Sequence, residues 1–166
     1  PYIDGFGVVA SFPRHGFFMS SWGMQNYQQT GKPYYPALVA QAQPALVLAD
    51  SPSLYAALVQ GVVVKEERRL LPEDIRFLQD NYVQHWGMVF VAGKRLTMAA
   101  GGDRAAFDIA VAGDYRLEAR APVMIDGRSI APGEVVATDL PRSISKLVSP
   151  FWPKSTRELR STPAAT

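Results

Sequence analysis

Residues 105–140 read AAFDIAVAGDYRLEARAPVMIDGRSIAPGEVVATDL, and they predict a run of short strands joined by tight turns. In the first of these strands Phe107, Ile109 and Val111 alternate with small or polar residues, which is the period of a half-buried strand. Residues 115–119 repeat the alternation. The stretch therefore predicts strands with one face in a core and the other in water.

The turns of this stretch are marked by three dipeptides: Gly113-Asp114, Asp126-Gly127 and Pro132-Gly133. Asp-Gly tolerates positive φ at both central positions of a type I′ hairpin turn, and Pro-Gly favours a tight turn. We therefore expect a short antiparallel β-meander or sandwich unit over residues 101–148, with residues 101–103 (Gly-Gly-Asp) as its boundary.

The first hundred residues alternate between strand-like and helix-like segments. Strands are predicted at residues 6–10, 45–49, 62–64 and 87–92, and helices at residues 20–31, 36–43, 54–59 and 72–82. This alternation predicts a small mixed α/β layer over residues 1–100 and an α/β or α+β fold class. The alternative is one mixed sheet that runs through both halves of the chain.

Composition and charge narrow the classes of function. The chain has 166 residues, of which 48% are apolar and 19% charged, enough for one domain that buries a core, with a small appendage. Residues 141–166 carry five basic groups and one acidic group, a surplus of four that outweighs the deficit of two in residues 1–140 and leaves the net charge of +2. The excess of basic over acidic groups extends into the tail, residues 149–166, which we expect to be disordered. The sequence therefore predicts no basic groove for nucleic acid.

The chain contains no cysteine, which excludes disulfides, thiolate metal sites and a cysteine nucleophile. No window reaches the roughly 18 apolar residues of a membrane span. Since the sequence begins at Pro1 without an initiator methionine, we expect it to be a soluble piece of a longer protein.

Clustered catalytic groups are sparse in this sequence. Its two histidines, His15 and His85, fall in predicted loops without the spacing of a metal site, so neither a metal nor a cofactor is predicted. Nucleophile-elbow, dinucleotide and phosphate-loop motifs do not occur. A histidine acting with Asp4 or Asp50 as a small hydrolase or transferase is one hypothesis, and a histidine that bonds to backbone is the simpler interpretation.

Aromatic residues crowd residues 12–35, and most of them are expected to build the core. Tyr and Trp beside polar groups also suit carbohydrates, because a sugar offers an apolar C–H face and a polar rim. The residues predicted to bind a ligand, by their loop placement, are Arg14, His15, Trp22, His85 and Trp86.

Four segments together carry a family resemblance: FPRHGFFMSSWGMQNY, PALVLADSPSL, LLPEDIRFLQDNYVQHWG and the AGDYRLEA…VMIDGRSIAPGEVV pattern. The chain resembles the soluble extracytoplasmic C-terminal region of bacterial multi-spanning glycosyltransferases that use polyprenyl-linked sugars. In that family the catalytic acid lies in the membrane part, so the resemblance implies no catalytic residue here.

The resemblance implies a periplasmic or extracytoplasmic location and anchoring through a parent membrane protein. It also implies a non-catalytic role in holding a glycan acceptor or a polyprenyl-linked sugar. The alternative from another class is a structural module of the cell envelope that docks to a partner protein through an exposed β edge and binds no ligand.

Overall fold

The computed structural model describes residues 1–7, 9, 11, 13, 20–97, 104–138, 143–148 and 156–161. The chain divides into two compact units, Pro1–Ala92 and Gly93–Thr166. Four helices and several strands make it an α+β protein, which confirms the predicted fold class. The predicted boundary at residues 101–103 lies outside the described residues.

The first unit is built on a mixed sheet. Its strands are β1 (Tyr2–Ile3), β2 (Leu46–Leu48), β3 (Tyr82–Trp86) and β4 (Val89–Thr97), in the order β1-β2-β4-β3. β1 and β2 are parallel, whereas β4 is antiparallel to both β2 and β3. Because parallel neighbours need a long crossover, the chain between β1 and β2 includes two helices, α1 (Ser21–Thr30) and α2 (Tyr35–Ala42).

Two further helices and a short turn of 3₁₀ helix complete the unit: α3 (Pro52–Leu58), the 3₁₀ helix (Glu66–Arg68) and α4 (Pro72–Asn81). Ser20 caps α1 by accepting a 3.0 Å hydrogen bond from the Gly23 N–H. α1 ends at Gly31, whose φ of 60° is the left-handed conformation of a helix C-terminus. Proline begins α3 and α4, where its missing N–H costs nothing, and all four predicted helices are confirmed.

The core of the first unit lies between the sheet and the helices. Its large, fully buried side chains are Tyr2, Ile3, Met24, Tyr35, Val39, Val47, Leu54 and Leu78. Tyr27 and Tyr35 belong to this core, as expected for most aromatic residues of segment 12–35, while Phe12, Phe17 and Phe18 lie outside the described residues.

Two predicted strands of this unit are wrong. Residues 62–64 form no strand, although their three valines favour one, because no neighbouring strand pairs with them. The first strand lies at Tyr2–Ile3 rather than at residues 6–10, of which Val8 and Ala10 lie outside the described residues. Its pairing with β2 places it there, since Tyr2 is opposite Leu46.

The second unit contains two antiparallel sheets. Its strands are β5 (Arg104–Asp108), β6 (Gly113–Glu118), β7 (Val123–Ile125), β8 (Arg128–Ile130), β9 (Val135–Thr138), β10 (Ser143–Val148) and β11 (Thr156–Ser161). In one sheet, residues 93–97 of β4 are followed by β11, β6 and β9; in the other, the order is β5-β10-β7-β8. Residues 89–92 of β4 belong to the first unit, so this strand contributes to both.

The two sheets of the second unit share one apolar core. It consists of Phe107, Ile109, Tyr115, Leu117, Val123, Ile125 and Ile130. The Tyr115 hydroxyl donates to the carbonyl of Val111 at 2.5 Å, similar to the tyrosine corner of β-sandwiches. Asp126 and Gly127 have φ values of 48° and 85°, so the predicted hairpin turn between β7 and β8 is confirmed.

The strand order departs from a simple meander in two places. β10 lies between β5 and β7, and β11 lies between β4 and β6, so strands from the end of the chain separate earlier ones. Gly113 and Asp114 accordingly begin β6 and make no hairpin turn with β5. β11 lies in the predicted disordered tail, and its sequence TRELRS lacks an apolar alternation that would have indicated a strand.

Candidate functional site

The carboxyl ends of the two parallel strands meet at one edge of the first unit's sheet. Residues 4–6 follow β1 and residues 49–51 follow β2. The turn between β3 and β4 lies at the same edge, because the Ala49 N–H donates to the Met88 carbonyl at 2.8 Å. We call residues 4–6, 49–51 and 86–88 the carboxyl edge. In open sheets with parallel strands, ligands bind at this end.

The Asp50 carboxylate is held in place by the backbone that follows β1. Its Oδ1 accepts from the Gly5 N–H at 2.6 Å and its Oδ2 accepts from the Phe6 N–H at 3.2 Å. A carboxylate has about four lone-pair sites, so two backbone donors leave capacity for donors from a ligand. The arrangement fixes an acceptor group at the carboxyl edge.

This approach of the two loops requires a glycine at position 5. A Cβ on Gly5 would lie 2.6 Å from the Ser51 Oγ and closer still to the Ser51 Cβ, distances that real side chains do not adopt. Ser51 is itself fixed, because its Oγ caps α3 by accepting from the Leu54 N–H at 3.3 Å. The position of Asp50 therefore depends on the absence of a side chain at residue 5.

An apolar cleft opens beside Asp50. It has a volume of about 380 Å³, within the range of small-molecule sites. Its lining residues come from the end of β2, from α3, from the loop after α3 and from the β3–β4 turn: Ala49, Asp50, Ser51, Pro52, Tyr55, Val62, Val63, Val64 and Met88. Among the residues that the structure describes, Asp50 is the one carboxylate in the lining, and no lysine, arginine or histidine lines the cleft.

Exposed apolar side chains concentrate around the same place. Among the described residues, eight large apolar side chains are exposed, and six of them belong to the carboxyl edge or the cleft. These six are Phe6, Tyr55, Val62, Val63, Trp86 and Met88. Val63 is 93% exposed and Trp86 is 77% exposed. Apolar surface grouped in this way is typical of a binding site, whereas single exposed apolar residues are not.

The structure describes three of the five residues that the sequence predicts to bind a ligand: Trp22, His85 and Trp86. His85 and Trp86 lie on β3 next to the hairpin turn, so the prediction of a loop for His85 is wrong. The pairing of Gln84 with Phe90 and of Trp86 with Val89 extends β3 as far as the turn. Trp86 is part of the carboxyl edge, whereas His85 is exposed directly before it.

Trp22 lies on α1, where it is 77% exposed, as expected for an exception to the aromatic core. No hydrogen bond or ring contact with the part of the chain that the structure describes joins Trp22 to His85 or Trp86. Arg14 and His15 lie outside the described residues.

Sequence reasoning missed the cleft. It treated Asp50 only as a partner for a catalytic histidine and treated residues 62–64 as a strand. The available signal was an acidic residue within two residues of the end of each of two apolar strands, Asp4 after β1 and Asp50 after β2. Of the two, Asp4 is fully buried, and Asp50 is partly exposed at the cleft.

A second polar cluster lies inside the first unit and is closed to solvent. The fully buried Asp74 accepts hydrogen bonds from the Tyr27 hydroxyl and from the N–H groups of Tyr34 and Tyr35. The Tyr27 oxygen in turn accepts from the Leu71 N–H at 2.8 Å. Burial, and then the hydrogen bond to Asp74, raise the pKa of Tyr27 above its ordinary value. This cluster joins α1, α2 and α4 and has the character of a structural network.

The described residues offer little for acid–base or metal chemistry. His85 makes no hydrogen bond or ion pair with another described residue, so it has no carboxylate partner there. Across residues 20–97 and the other described ranges, no group of three or more His, Asp or Glu side chains is placed to hold a metal ion. The arrangement at the carboxyl edge suits reversible binding through apolar contact and one acceptor group.

Comparison with protein-family models, with curated protein sequences and with solved structures gives no match for this chain. None of the helices in its described part combines the length and the apolar character needed to cross a bilayer.

Proposed function

We propose that this chain is a non-catalytic saccharide-binding domain whose site is the cleft at the carboxyl edge of the first unit. One observation carries the proposal: a backbone-anchored carboxylate, Asp50, lies in an apolar cleft beside an edge that presents an exposed tryptophan. A pyranose needs both elements, because its C–H face packs on apolar or aromatic surface and its hydroxyl groups donate to acceptors.

In this proposal the sugar hydroxyl groups bind to the Asp50 carboxylate, and the sugar ring packs on the apolar wall of the cleft. Asp50 offers the lone pairs that the Gly5 and Phe6 N–H groups leave available. Tyr55, Met88 and the valines of residues 62–64 provide the apolar wall on which a sugar ring would lie. Trp86, beside Met88 on the hairpin, is placed to contact a second ring of a longer glycan.

We further propose, from the resemblance described above, that the domain belongs to a membrane-anchored glycosyltransferase and lies on the extracytoplasmic side. Its role there would be to hold a glycan acceptor or a polyprenyl-linked sugar for a catalytic part elsewhere in the parent chain. The partners are then a saccharide and the membrane part of the same protein, and nucleic acid is not among them.

The test is a titration of the purified chain with a panel of bacterial glycans and polyprenyl-phosphate sugars, followed by NMR. The chain has three tryptophans, so assigned indole N–H signals would report where the ligand binds. We expect saturable shifts at Trp86 and at the amides of Gly5, Phe6 and Asp50. A panel that leaves these signals unchanged would contradict the proposal.

A matched pair of variants locates the site. Trp22 and Trp86 are both 77% exposed but lie on different elements, α1 and β3. Trp86→Ala should weaken glycan binding by about 1 kcal/mol, roughly fivefold, through the lost ring contact. Trp22→Ala should leave binding unchanged. Equal losses in both variants would assign the site to a different surface.

The second candidate function is docking to a partner protein. Among the described strands β9 is at the edge of its sheet, and it carries Val135, which is 45% exposed, so the side of β9 away from β6 could offer a strand edge to a partner. This function predicts a stable complex with another envelope protein that Val135→Lys disrupts and that glycans leave intact.

A further inference from the structure

We infer that the cleft at the carboxyl edge is selective for neutral saccharides and discriminates against sugars that carry a carboxylate or a phosphate. This inference rests on the proposed function and names the class of saccharide that the site accepts. It follows from the charge of the cleft and from the way in which that charge is held.

The charge argument begins with the lining of the cleft. Among the described residues that line the cleft, Asp50 is the one acidic residue, and the other eight are apolar, hydroxyl-bearing or proline residues. Lys65 follows Val64 along the chain but does not line the cleft, and Arg69 lines a neighbouring cleft that shares Val62, Val63 and Val64 with this one. An anionic ligand would therefore meet the carboxylate without a compensating cation among the described residues that line the cleft.

The geometry keeps this charge at the cleft. Because Oδ1 and Oδ2 are each bound to a backbone N–H, the carboxylate cannot rotate away when an anion approaches. A side chain at residue 5 would clash with Ser51, so the loop carrying these donors lies close to the residue that follows Asp50. For a neutral sugar the same rigidity is favourable, since the acceptor is already oriented toward hydroxyl donors.

The apolar wall strengthens the discrimination. The side chains of Val62, Val63, Val64 and Met88 offer no hydrogen-bond donor to a carboxylate or phosphate that loses part of its hydration on entry. A neutral hydroxymethyl group in the same position loses far less. Desolvation and repulsion therefore act in the same direction, and we expect at least roughly tenfold weaker binding of an acidic sugar than of its neutral counterpart at low salt.

The experiment compares matched sugar pairs on the intact chain: methyl glucoside with methyl glucuronoside, and methyl galactoside with methyl galacturonoside, each titrated by NMR. We expect shifts at Asp50 and Met88 with the neutral member and at least roughly tenfold weaker binding of the acidic member in about 0.01 M salt. In about 1 M salt, where the screening length falls to about 3 Å, the difference should shrink severalfold.

Variants at Val63 test the charge without disturbing the fold, because this side chain is 93% exposed. Val63→Lys places a cation at the wall of the cleft and should bring the affinity for the acidic sugar close to that for the neutral one. Val63→Gln is the matched control and should preserve the preference.

The outcomes separate the inference from the proposed function. Equal binding of both members at low salt, or tighter binding of the acidic member at the cleft, would overturn the inference and leave the saccharide site standing. If binding of the acidic sugar is lost in Arg69→Gln, the acidic sugar belongs to the neighbouring cleft that Arg69 lines, and this result would agree with the inference. Failure of every pair to bind would overturn the proposed function and the inference together.

Discussion

Asp74→Asn tests whether the buried polar cluster holds the helices of the first unit together. Asp74 is fully buried, and three donors point at its carboxylate: the Tyr27 hydroxyl and the N–H groups of Tyr34 and Tyr35, the last at 2.8 Å. These donors come from α1, from the segment before α2 and from the start of α2. The substitution keeps the shape of the side chain and changes its hydrogen-bonding capacity.

The expected loss follows from a count of donors and acceptors. An asparagine presents one acceptor oxygen and one NH₂ donor, so at least one of the three donors loses the carboxylate oxygen that accepts its hydrogen bond. Hydrogen bonds to a charged group contribute about 1.5–3 kcal/mol each, which gives a loss of about 2 kcal/mol in the free energy of unfolding. Asp74→Ala leaves all three donors unsatisfied and should cost about 3 kcal/mol or more.

Tyr27→Phe tests the same cluster by removing the hydroxyl group that donates to Asp74. It removes the donor to Asp74 and leaves the Leu71 N–H without its acceptor, a loss of about 1–3 kcal/mol. Because the two residues are in contact, the double variant Asp74→Asn with Tyr27→Phe should cost less than the sum of the single changes.

The assay is urea unfolding followed by circular dichroism, with hydrogen exchange at the Leu71 amide as a readout specific to the first unit. Asp80→Asn is the matched control, because Asp80 is exposed on the same helix and its loss should change stability by less than about 0.5 kcal/mol. If Asp74→Asn were as stable as Asp80→Asn, the cluster would not have the structural role assigned to it.

Three other perturbations test the close approach of the loops at Gly5, the burial of two tyrosines and the turn at Gly127. Gly5→Ala should lower the free energy of unfolding by about 1–3 kcal/mol in urea, since its Cβ clashes with Ser51, and unchanged stability would contradict the close approach of the two loops. Burial raises the pKa of Tyr35 and Tyr115, so their contribution to stability is complete below pH about 10 and is lost above it, where the unfolded tyrosines ionise first. Urea unfolding between pH 8 and 11 should show this decline, and constant stability across that range would refute it. Gly127→Ala should raise the energy of a turn with φ of 85° by about 1–2 kcal/mol, seen as a lower Tm, whereas an unchanged Tm would show that the turn relaxes.

Local features of the sequence predicted most of the elements correctly. Ser20 and Pro72 predict helix starts for local reasons. The Ser20 side chain accepts from an N–H of the first turn, and Pro72 has no N–H that would be left unpaired there. The alternation at Phe107, Ile109 and Val111 puts these three side chains in the core or buried beside it. The Asp126-Gly127 turn follows from the same kind of information, since its φ values depend only on the two residues concerned.

Strand partners could not be predicted in this way. β11 pairs with β4 and β6, although it lies about 40 residues after β6 and its own sequence is polar. Residues 62–64 have the composition of a strand and lack a partner, so they line the cleft instead. Both outcomes depend on which strands are neighbours, a property that no short window of sequence contains.

By itself, then, the sequence determined the helices, the buried faces and the hairpin turn, because these depend on contacts between residues close together in the chain. Only the tertiary structure decided the candidate site, which combines Gly5, Asp50, Val63 and Met88 from four separate segments. The parallel pairing of β1 with β2 brings two of those segments to one edge, and the Ala49–Met88 hydrogen bond adds the third. A carboxylate acquires a binding role only from the groups around it, and here those groups come from distant parts of the chain.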